Sequence, residues 1–184
     1  ILEEIKETLQ RSFEPLAAKK GIEFHIEMEQ GLPHSLHTDV QRVQQILKNL
    51  LSNAFKFTSQ GSVTLQVTRT NHQQPFSEMS QGGWTAFSVT DTGIGISMDK
   101  KDVIFQAFQQ ADGSTNRKYG GTGLGLTISR ELAGLIGGYI DFKSQEGTGS
   151  TFTLYVPETP VLPEASGIQE AAAAQEAVIP GVPS

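Results

Sequence analysis

The chain has 184 residues, a formal net charge of -6 at pH 7 and no cysteine. This length suits one domain with a hydrophobic core. The lack of cysteine excludes a disulfide framework, a thiolate metal site and a cysteine nucleophile within this sequence. The negative charge argues against a nucleic-acid-binding protein, which needs a basic surface. No apolar run approaches the ~20 residues of a membrane-spanning helix, so we expect a cytoplasmic segment that makes no membrane contact itself.

Apolar periodicity predicts a small set of helices and strands. The predicted helices cover 2–19, 39–57 and 123–136, and the predicted strands cover 22–28, 62–70, 84–90, 139–143 and 150–156. Thr38 followed by Gln41 fits a capping box, which predicts that the second helix begins directly after Thr38. Several strands with few helices and no regular βαβ alternation predict an α+β fold, a two-layer sandwich.

The composition changes after Pro157. Residues 158–184 are rich in Pro, Ala, Gly and Glu and contain no aromatic residue, Lys or Arg. Such a segment cannot bury enough apolar surface to offset the entropy lost on ordering. We therefore predict that residues 158–184 form a flexible linker.

The second predicted helix carries a polar face beside its apolar stripe. Asn49, Asn53 and Lys56 follow one another at steps of four and three, so they share that face. Asparagine is a poor residue for a helix interior, because its amide competes for backbone hydrogen bonds. Two amide carbonyls and an ammonium group suit a Mg²⁺ ion held by a polyphosphate. The alternative is an ordinary solvated helix face.

Asp91 follows a predicted strand and continues the parity of Phe87 and Val89, which aims its carboxylate toward the core. A buried carboxylate is costly unless it has a partner, and the exocyclic amine of a purine is one suitable partner. The glycines of Asp91-Thr92-Gly93-Ile94-Gly95-Ile96 would let the backbone approach a flat ring closely. The alternative is an ordinary Asp-x-Gly turn.

Four glycines stand in Gly120–Leu126, at the start of the third predicted helix. Backbone N–H groups at a helix N-terminus bind anions, so this segment predicts a phosphate site. A Walker A loop is excluded, because the sequence has no Gly-Lys dipeptide. A dinucleotide-binding fold is also excluded, because a polar stretch precedes the glycines instead of a buried strand. Residues 97–119 have the pattern of a short amphipathic helix, with Phe105 and Phe108, followed by a polar segment that suggests a mobile lid. The alternative for either Phe is ordinary packing.

Taken in order, these segments resemble the N, G1, F and G2 boxes of sensor histidine kinases. The matching segments are 49–58 (NLLSNAFKFT), 91–96 (DTGIGI), 105–112 (FQAFQQAD) and 121–126 (GTGLGL), and 147–154 (GTGSTFTL) is similar to the terminal glycine box. The resemblance is greatest to the hybrid kinases. It implies the ATP-binding fold of the gyrase, Hsp90, histidine kinase and MutL type, in which helices cover one face of a mixed, mostly antiparallel sheet.

The resemblance also implies roles for individual residues. Asp91 would accept a hydrogen bond from the adenine amine, and Asn53 would ligate Mg²⁺. Asn49, Lys56 and the lid cations Arg117 and Lys118 would act on the phosphates of ATP. The remaining implied nucleotide contacts are Gly93, Gly95, Ile96, Phe105, Phe108, Tyr119, Gly121, Thr122, Gly123, Leu124, Gly125, Leu126 and Thr151.

Two absences bear on mechanism. Hydrolytic relatives place a Glu one turn before the Mg²⁺-binding Asn, where this sequence has Asn49, so attack by water should be slow. No histidine of the chain stands in a phosphoacceptor motif. The resemblance therefore implies a protein-histidine kinase domain that transfers the γ-phosphoryl group of ATP to another domain. The alternatives are a nucleotide-regulated interaction module and an ATPase of the gyrase or MutL kind.

The resemblance also implies how the chain is organised. Residues 1–20 would connect to a dimerisation domain that carries the phosphoacceptor histidine, and residues 21–157 would form the kinase domain. The linker at 158–184 would lead to a receiver domain. The parent protein would be a homodimer, anchored in a membrane or free of one.

Overall fold

The computed structural model describes residues 1–71, 82–109 and 123–159, without the side chains of 105–109 and 123–124. Its helices are α1 (Leu2–Lys20), α2 (Val40–Phe57), α3 (Met98–Gln109) and α4 (Gly123–Leu135). Its strands are β1 (Glu23–Met28), β2 (Ser62–Thr70), β3 (Trp84–Asp91), β4 (Tyr139–Gln145) and β5 (Gly149–Pro157). All three helices predicted with bounds and every predicted strand are therefore present, with bounds shifted by up to two residues, and α3 lies within the predicted lid segment.

The described strands form one sheet in the order β1-β2-β3-β5-β4. β1 runs parallel to β2, and the other neighbouring strands are antiparallel. One face of the sheet packs against the helices, as Phe87 and its cross-strand partner Leu154 show by being almost completely buried. On the opposite face the hydroxyls of Ser88 and Thr153 lie 3.0 Å apart, and nearer the other end of these strands Tyr139 stacks on Tyr155 with ring centroids 4.5 Å apart. The predicted α+β two-layer sandwich is confirmed. None of the described helices is long and apolar enough to cross a membrane.

Helix α2 supplies the centre of the core. Its buried residues are Val43, Ile46, Leu47, Leu50, Leu51, Ala54 and Phe55. They recur at steps of three and four, so one stripe of the helix faces the sheet while the rest of its surface stays polar. The helix contacts β3 and α4, which carry the other sequence motifs.

The predicted N-cap of α2 is wrong by one residue. Asp39, not Thr38, caps the helix, because its carboxylate accepts a hydrogen bond from the Arg42 backbone N–H at 3.2 Å. A carboxylate is also favoured near the positive end of the helix dipole. The Arg42 side chain strengthens this arrangement with an ion pair of 3.1 Å to Asp39.

Helix α1 packs into the same core. Phe13 stacks on Phe55 of α2 with ring centroids 5.7 Å apart, and Phe24 of β1 meets both rings edge-on. Lys20, in the last turn of α1, donates a hydrogen bond to the backbone carbonyl of Phe55. These contacts fix α1 to the C-terminal half of α2.

The chain remains attached to the sheet just beyond β5. The Glu158 backbone N–H donates to the Gly83 carbonyl at 3.0 Å. Its side chain, only 11% exposed, forms a bidentate ion pair with Arg69 at 2.7 and 2.8 Å. A side chain on Gly83 would collide with this carboxylate. Glu158, which the sequence assigned to the linker, is therefore fixed to the domain, and residues 160–184 lie outside the described residues.

Replacing Phe13 by Ala should lower the free energy of unfolding by about 3–5 kcal/mol, because it removes a buried ring and leaves a cavity. Chemical denaturation of the 184-residue chain measures this value. Arg11→Ala, at an exposed position of the same helix, is the control and should change stability by less than about 0.5 kcal/mol. Equal stability of the two variants would contradict the packing of α1 into the core.

Candidate nucleotide-binding site

Asp91 ends β3 on the face of the sheet that the helices cover. It is 7% exposed, and its cross-strand partner is Ser150. Burial raises the pKa of the Asp91 carboxyl, while hydrogen bonds from backbone N–H groups of Gly93 and Ser150 act in the opposite direction. Within the described residues, no cation contributes to this balance. The predicted inward orientation of Asp91 is confirmed, and its carboxylate is held at the surface of the core without a charged partner there.

The residues after Asp91 form a loop that neighbouring backbone segments hold on two sides. The Ile94 N–H donates to the Phe57 carbonyl at the end of α2, at 3.4 Å. The Ile94 carbonyl in turn accepts from the Gly147 N–H, in the β4–β5 turn, at 2.7 Å. The loop therefore joins the end of the asparagine-bearing helix to the turn that contains the terminal glycine motif.

Two glycines allow this close approach. A Cβ on Gly93 would collide with the Phe57 carbonyl, and a Cβ on Gly95 would collide with the Gln145 carbonyl. Gly95 also has a φ of 69°, a left-handed conformation that other residues rarely adopt. The glycines that the sequence predicts for contact with a flat ring thus let the loop pack against backbone in the structure.

A pair of serines on β4 and β5 lies beneath the loop. The Oγ atoms of Ser144 and Ser150 are 2.7 Å apart, and Ser144 Oγ also donates to the Gly149 carbonyl at 3.2 Å. Ser144 Oγ accepts a hydrogen bond from the Ile96 N–H at 2.8 Å. No sequence pattern predicted either serine as part of the site, since their place beside Asp91 follows from the pairing of β5 with β3 and β4.

Thr151, by contrast, lies on the opposite face of the sheet from Asp91. It pairs with Thr90, and the two hydroxyls are 3.0 Å apart. Because side chains alternate along a strand, a hydroxyl on the Asp91 face must come from Ser150. The structure therefore does not bring Thr151 together with the other predicted contacts.

The three residues predicted for the polar face of α2 are more exposed than the apolar stripe of the same helix. Asn49 and Asn53 are half-buried and Lys56 is exposed. The Asn49 amide nitrogen donates to Ser129 Oγ on α4 at 3.3 Å, and Ser129 is fully buried. The Lys56 ammonium lies 5.7 Å from the centre of the Phe57 ring. Within the described ranges, no three His, Asp or Glu side chains converge as a metal site.

The glycine-rich segment and the lid are described only in part. Gly123 begins α4 as predicted, a Cβ on Gly125 would meet open space, and Leu126 belongs to the hydrophobic core with 5% exposure. Phe105 and Phe108 lie on α3, and Leu124 on α4, at positions whose side chains are not described. Arg117, Lys118, Tyr119, Gly121 and Thr122 lie outside the described residues.

Comparison with known proteins gives the family. A family model described as "Histidine kinase-, DNA gyrase B-, and HSP90-like ATPase" matches residues 38–160. The chain is 49% identical over 121 residues to the circadian input-output histidine kinase CikA of Synechococcus elongatus, covering 65% of this chain and 15% of that protein. It is 44% identical over 141 residues to the aerobic respiration control sensor protein ArcB of Escherichia coli, covering 76% of this chain and 17% of that protein.

Solved structures agree with these relatives. Full-length ShkA in complex with AMPPNP superposes with a TM-score of 0.67 at 32% identity, covering 89% of this chain and 31% of that one. The nucleotide-free catalytic domain of the histidine kinase ThkA superposes with a TM-score of 0.64 at 25% identity, covering 86% of this chain and 95% of that one. Because the family model matches more than half of its length, this chain belongs to the histidine kinase-, DNA gyrase B- and HSP90-like ATPase family, as a catalytic domain of the sensor histidine kinase type.

Proposed function

We propose that this chain binds Mg·ATP and transfers the γ-phosphoryl group to a histidine on a separate dimerisation domain. In this proposal the adenine ring contacts the loop after Asp91. The triphosphate extends past the polar face of α2 toward the N-terminus of α4. The 1–20 segment connects to the dimerisation domain.

The buried carboxylate of Asp91 carries the proposal. A carboxylate at 7% exposure is costly, and the described residues offset that cost only through two backbone N–H groups. The amine of adenine would supply a further donor at the carboxylate. The close packing of Gly93 and Gly95 against backbone holds the loop in place before any base arrives, so little order has to be gained on binding.

The composition of α2 supports transfer over hydrolysis. Between Val40 and Phe57 the helix has no Asp or Glu that could act as a general base for water. Asn49, which stands one turn before Asn53, has its amide nitrogen directed to Ser129. In this proposal the amide oxygen of Asn49 faces the phosphates.

The metal would be held jointly by protein and nucleotide. Mg²⁺ in phosphate-transfer sites is usually bound by one or two protein oxygens together with phosphate oxygens and water. Asn53 provides such an oxygen on the half-buried polar face of α2. When bound, Mg²⁺ would neutralise the negative charge that builds on the phosphates during transfer.

The partners belong to the rest of a longer protein. The chain spans between 15% and 17% of the length of the curated relatives compared above, whose names describe sensor kinases. We propose the dimerisation domain of the same protein as the phosphoacceptor and a receiver domain after the linker as a later acceptor. The parent would be a homodimer, and its use of ATP would place this domain in the cytoplasm.

The isolated chain should bind ATP without labelling itself, and it should phosphorylate a cognate helical dimerisation domain added separately. Transfer of ³²P from γ-labelled ATP to each protein, with acid lability of the product, measures both results. Stable labelling of the isolated chain would contradict the proposal. Binding of ATP with no transfer to the cognate domain would favour the interaction module, and rapid multiple-turnover hydrolysis would favour the ATPase.

Asp91→Asn should weaken ATP binding roughly 10- to 100-fold, because it removes a charged acceptor while the amide oxygen still accepts from Gly93. Isothermal titration calorimetry measures the affinity, with Asp99→Asn, at an exposed position, as the control. Retention of wild-type affinity by the Asp91 variant would contradict the adenine pairing.

The same variant should be at least as stable as the wild type at pH 7 without nucleotide. Since burial raises the pKa of Asp91, the folded state binds this proton more tightly than the unfolded state does. The contribution of Asp91 to stability is therefore largest below the ordinary pKa of aspartate and falls as pH rises toward the raised value. Thermal unfolding across this pH range tests the sign, and a less stable variant at pH 7 would indicate a structural carboxylate.

Asn53→Ala should weaken binding of Mg·ATP about tenfold while changing the affinity for ATP in EDTA by less than about twofold, since only the metal loses a ligand. Ser52→Ala, at the exposed neighbouring position of α2, is the control. Equal losses with and without Mg²⁺ would show that Asn53 does not act through the metal.

A further inference from the structure

Ser144, near the end of β4, has a hydroxyl that contacts the loop after Asp91. Ser144 Oγ accepts from the Ile96 N–H at 2.8 Å, and Ser144 is half-buried. Its own proton has two acceptors nearby, the Ser150 hydroxyl at 2.7 Å and the Gly149 carbonyl at 3.2 Å. A hydroxyl that donates into β5 keeps its lone pairs free to accept from the loop.

The loop and the carboxylate are linked through backbone groups. Gly93 N–H donates to Asp91 Oδ1 at 3.0 Å, so the orientation of the carboxylate depends on where the loop lies. Three further described hydrogen bonds join the loop to other elements. They run from Ile94 N–H to the Phe57 carbonyl, from Gly147 N–H to the Ile94 carbonyl, and from Ile96 N–H to Ser144 Oγ. Of these, the bond to Ser144 is the one made by a side chain, so it is the one a substitution can remove.

Ser150 connects the Ser144 hydroxyl to β5, the strand that pairs with β3 at Asp91. It is 7% exposed and lies directly opposite Asp91 in the sheet. The β5 backbone beneath the pair is fixed as well, because Gly149 has a φ of 129° and a Cβ there would collide with the Asp91 carbonyl. The serine pair therefore connects the edge strand β4 to both the loop and the carboxylate.

We propose that Ser144 is a positioning residue for base recognition: its hydroxyl, held by Ser150, fixes the loop after Asp91 and thereby the carboxylate that pairs with the amine of adenine. This inference rests on the proposed binding of ATP. Ser144 touches no reacting atom, and it acts by limiting the orientations that Asp91 can adopt.

The test compares ATP with inosine triphosphate, in which a carbonyl replaces the amine of adenine. In the full chain, Ser144→Ala should weaken ATP binding roughly tenfold and inosine triphosphate binding by less than about twofold. The preference for ATP over inosine triphosphate should shrink accordingly. Equal losses for the two nucleotides, or no loss for either, would overturn the proposal, since a merely structural hydroxyl would not act on the amine.

Ser88→Ala is the matched control. Ser88 forms a similar cross-strand hydroxyl pair with Thr153, at 3.0 Å, on the opposite face of the sheet. Its substitution should leave both nucleotide affinities unchanged. A shift in nucleotide preference as large as that of Ser144→Ala would overturn the proposal, because it would show an unspecific effect of losing a sheet hydroxyl.

Amide exchange without nucleotide separates this inference from the proposed function. By NMR, the Ile96 amide of the Ser144→Ala variant should exchange roughly tenfold faster than in the wild type, while the Val89 amide inside β3 is unaffected. Unchanged exchange at Ile96 would overturn the anchoring role whatever the affinities are. If the variant shows accelerated exchange at Ile96 but the wild-type chain binds no nucleotide, the anchoring role is supported and the proposed function is refuted.

Discussion

A carboxylate removed from water is the constraint on which this site depends. Asp91 lies at the end of a central strand, 7% exposed, and burial raises its pKa. A core could have placed an apolar side chain here at lower cost, because ionised groups lose hydration on burial. The domain instead surrounds the carboxylate with backbone N–H groups from the loop and from β5. Under the proposed function, such an arrangement favours the binding of adenine over the stability of the fold.

The elements around Asp91 meet through backbone, and glycine makes this possible. The loop packs on the last carbonyl of α2 at Gly93 and on the end of β4 at Gly95, at distances that a side chain would prevent. The end of the asparagine-bearing helix, the loop and the β4–β5 turn are therefore joined as one unit. Helix α1 is attached to the same unit, since Phe13 stacks on Phe55 and Lys20 binds the Phe55 carbonyl. The contacts of α1 thus lie two residues before the Phe57 carbonyl, which accepts the hydrogen bond from the loop.

Much of the fold could be predicted from the sequence because the signals are local. The apolar stripe of α2 and the parity of Phe87, Val89 and Asp91 each follow from the period of one element. The same local signals gave the positions of Asn49 and Asn53 on one helix face. The cap of α2 was misassigned, because Thr38 and Asp39 are both good caps and only the backbone geometry distinguishes them. The strand register, and not the glycine motif, shows that Ser150 shares the face of Asp91 while Thr151 lies on the opposite face.

The sequence by itself determined the family motifs, the helical and extended segments, and the burial of a carboxylate at Asp91, because each depends on residues close together in the chain. Only the tertiary structure decided which strands are neighbours and which distant groups meet. The Ser144 hydroxyl reaches Ile96 across 48 residues, and Phe13 reaches Phe55 through the packing of two helices. Neither contact can be predicted from the periodicity of the sequence, because strand order and helix packing depend on contacts throughout the core.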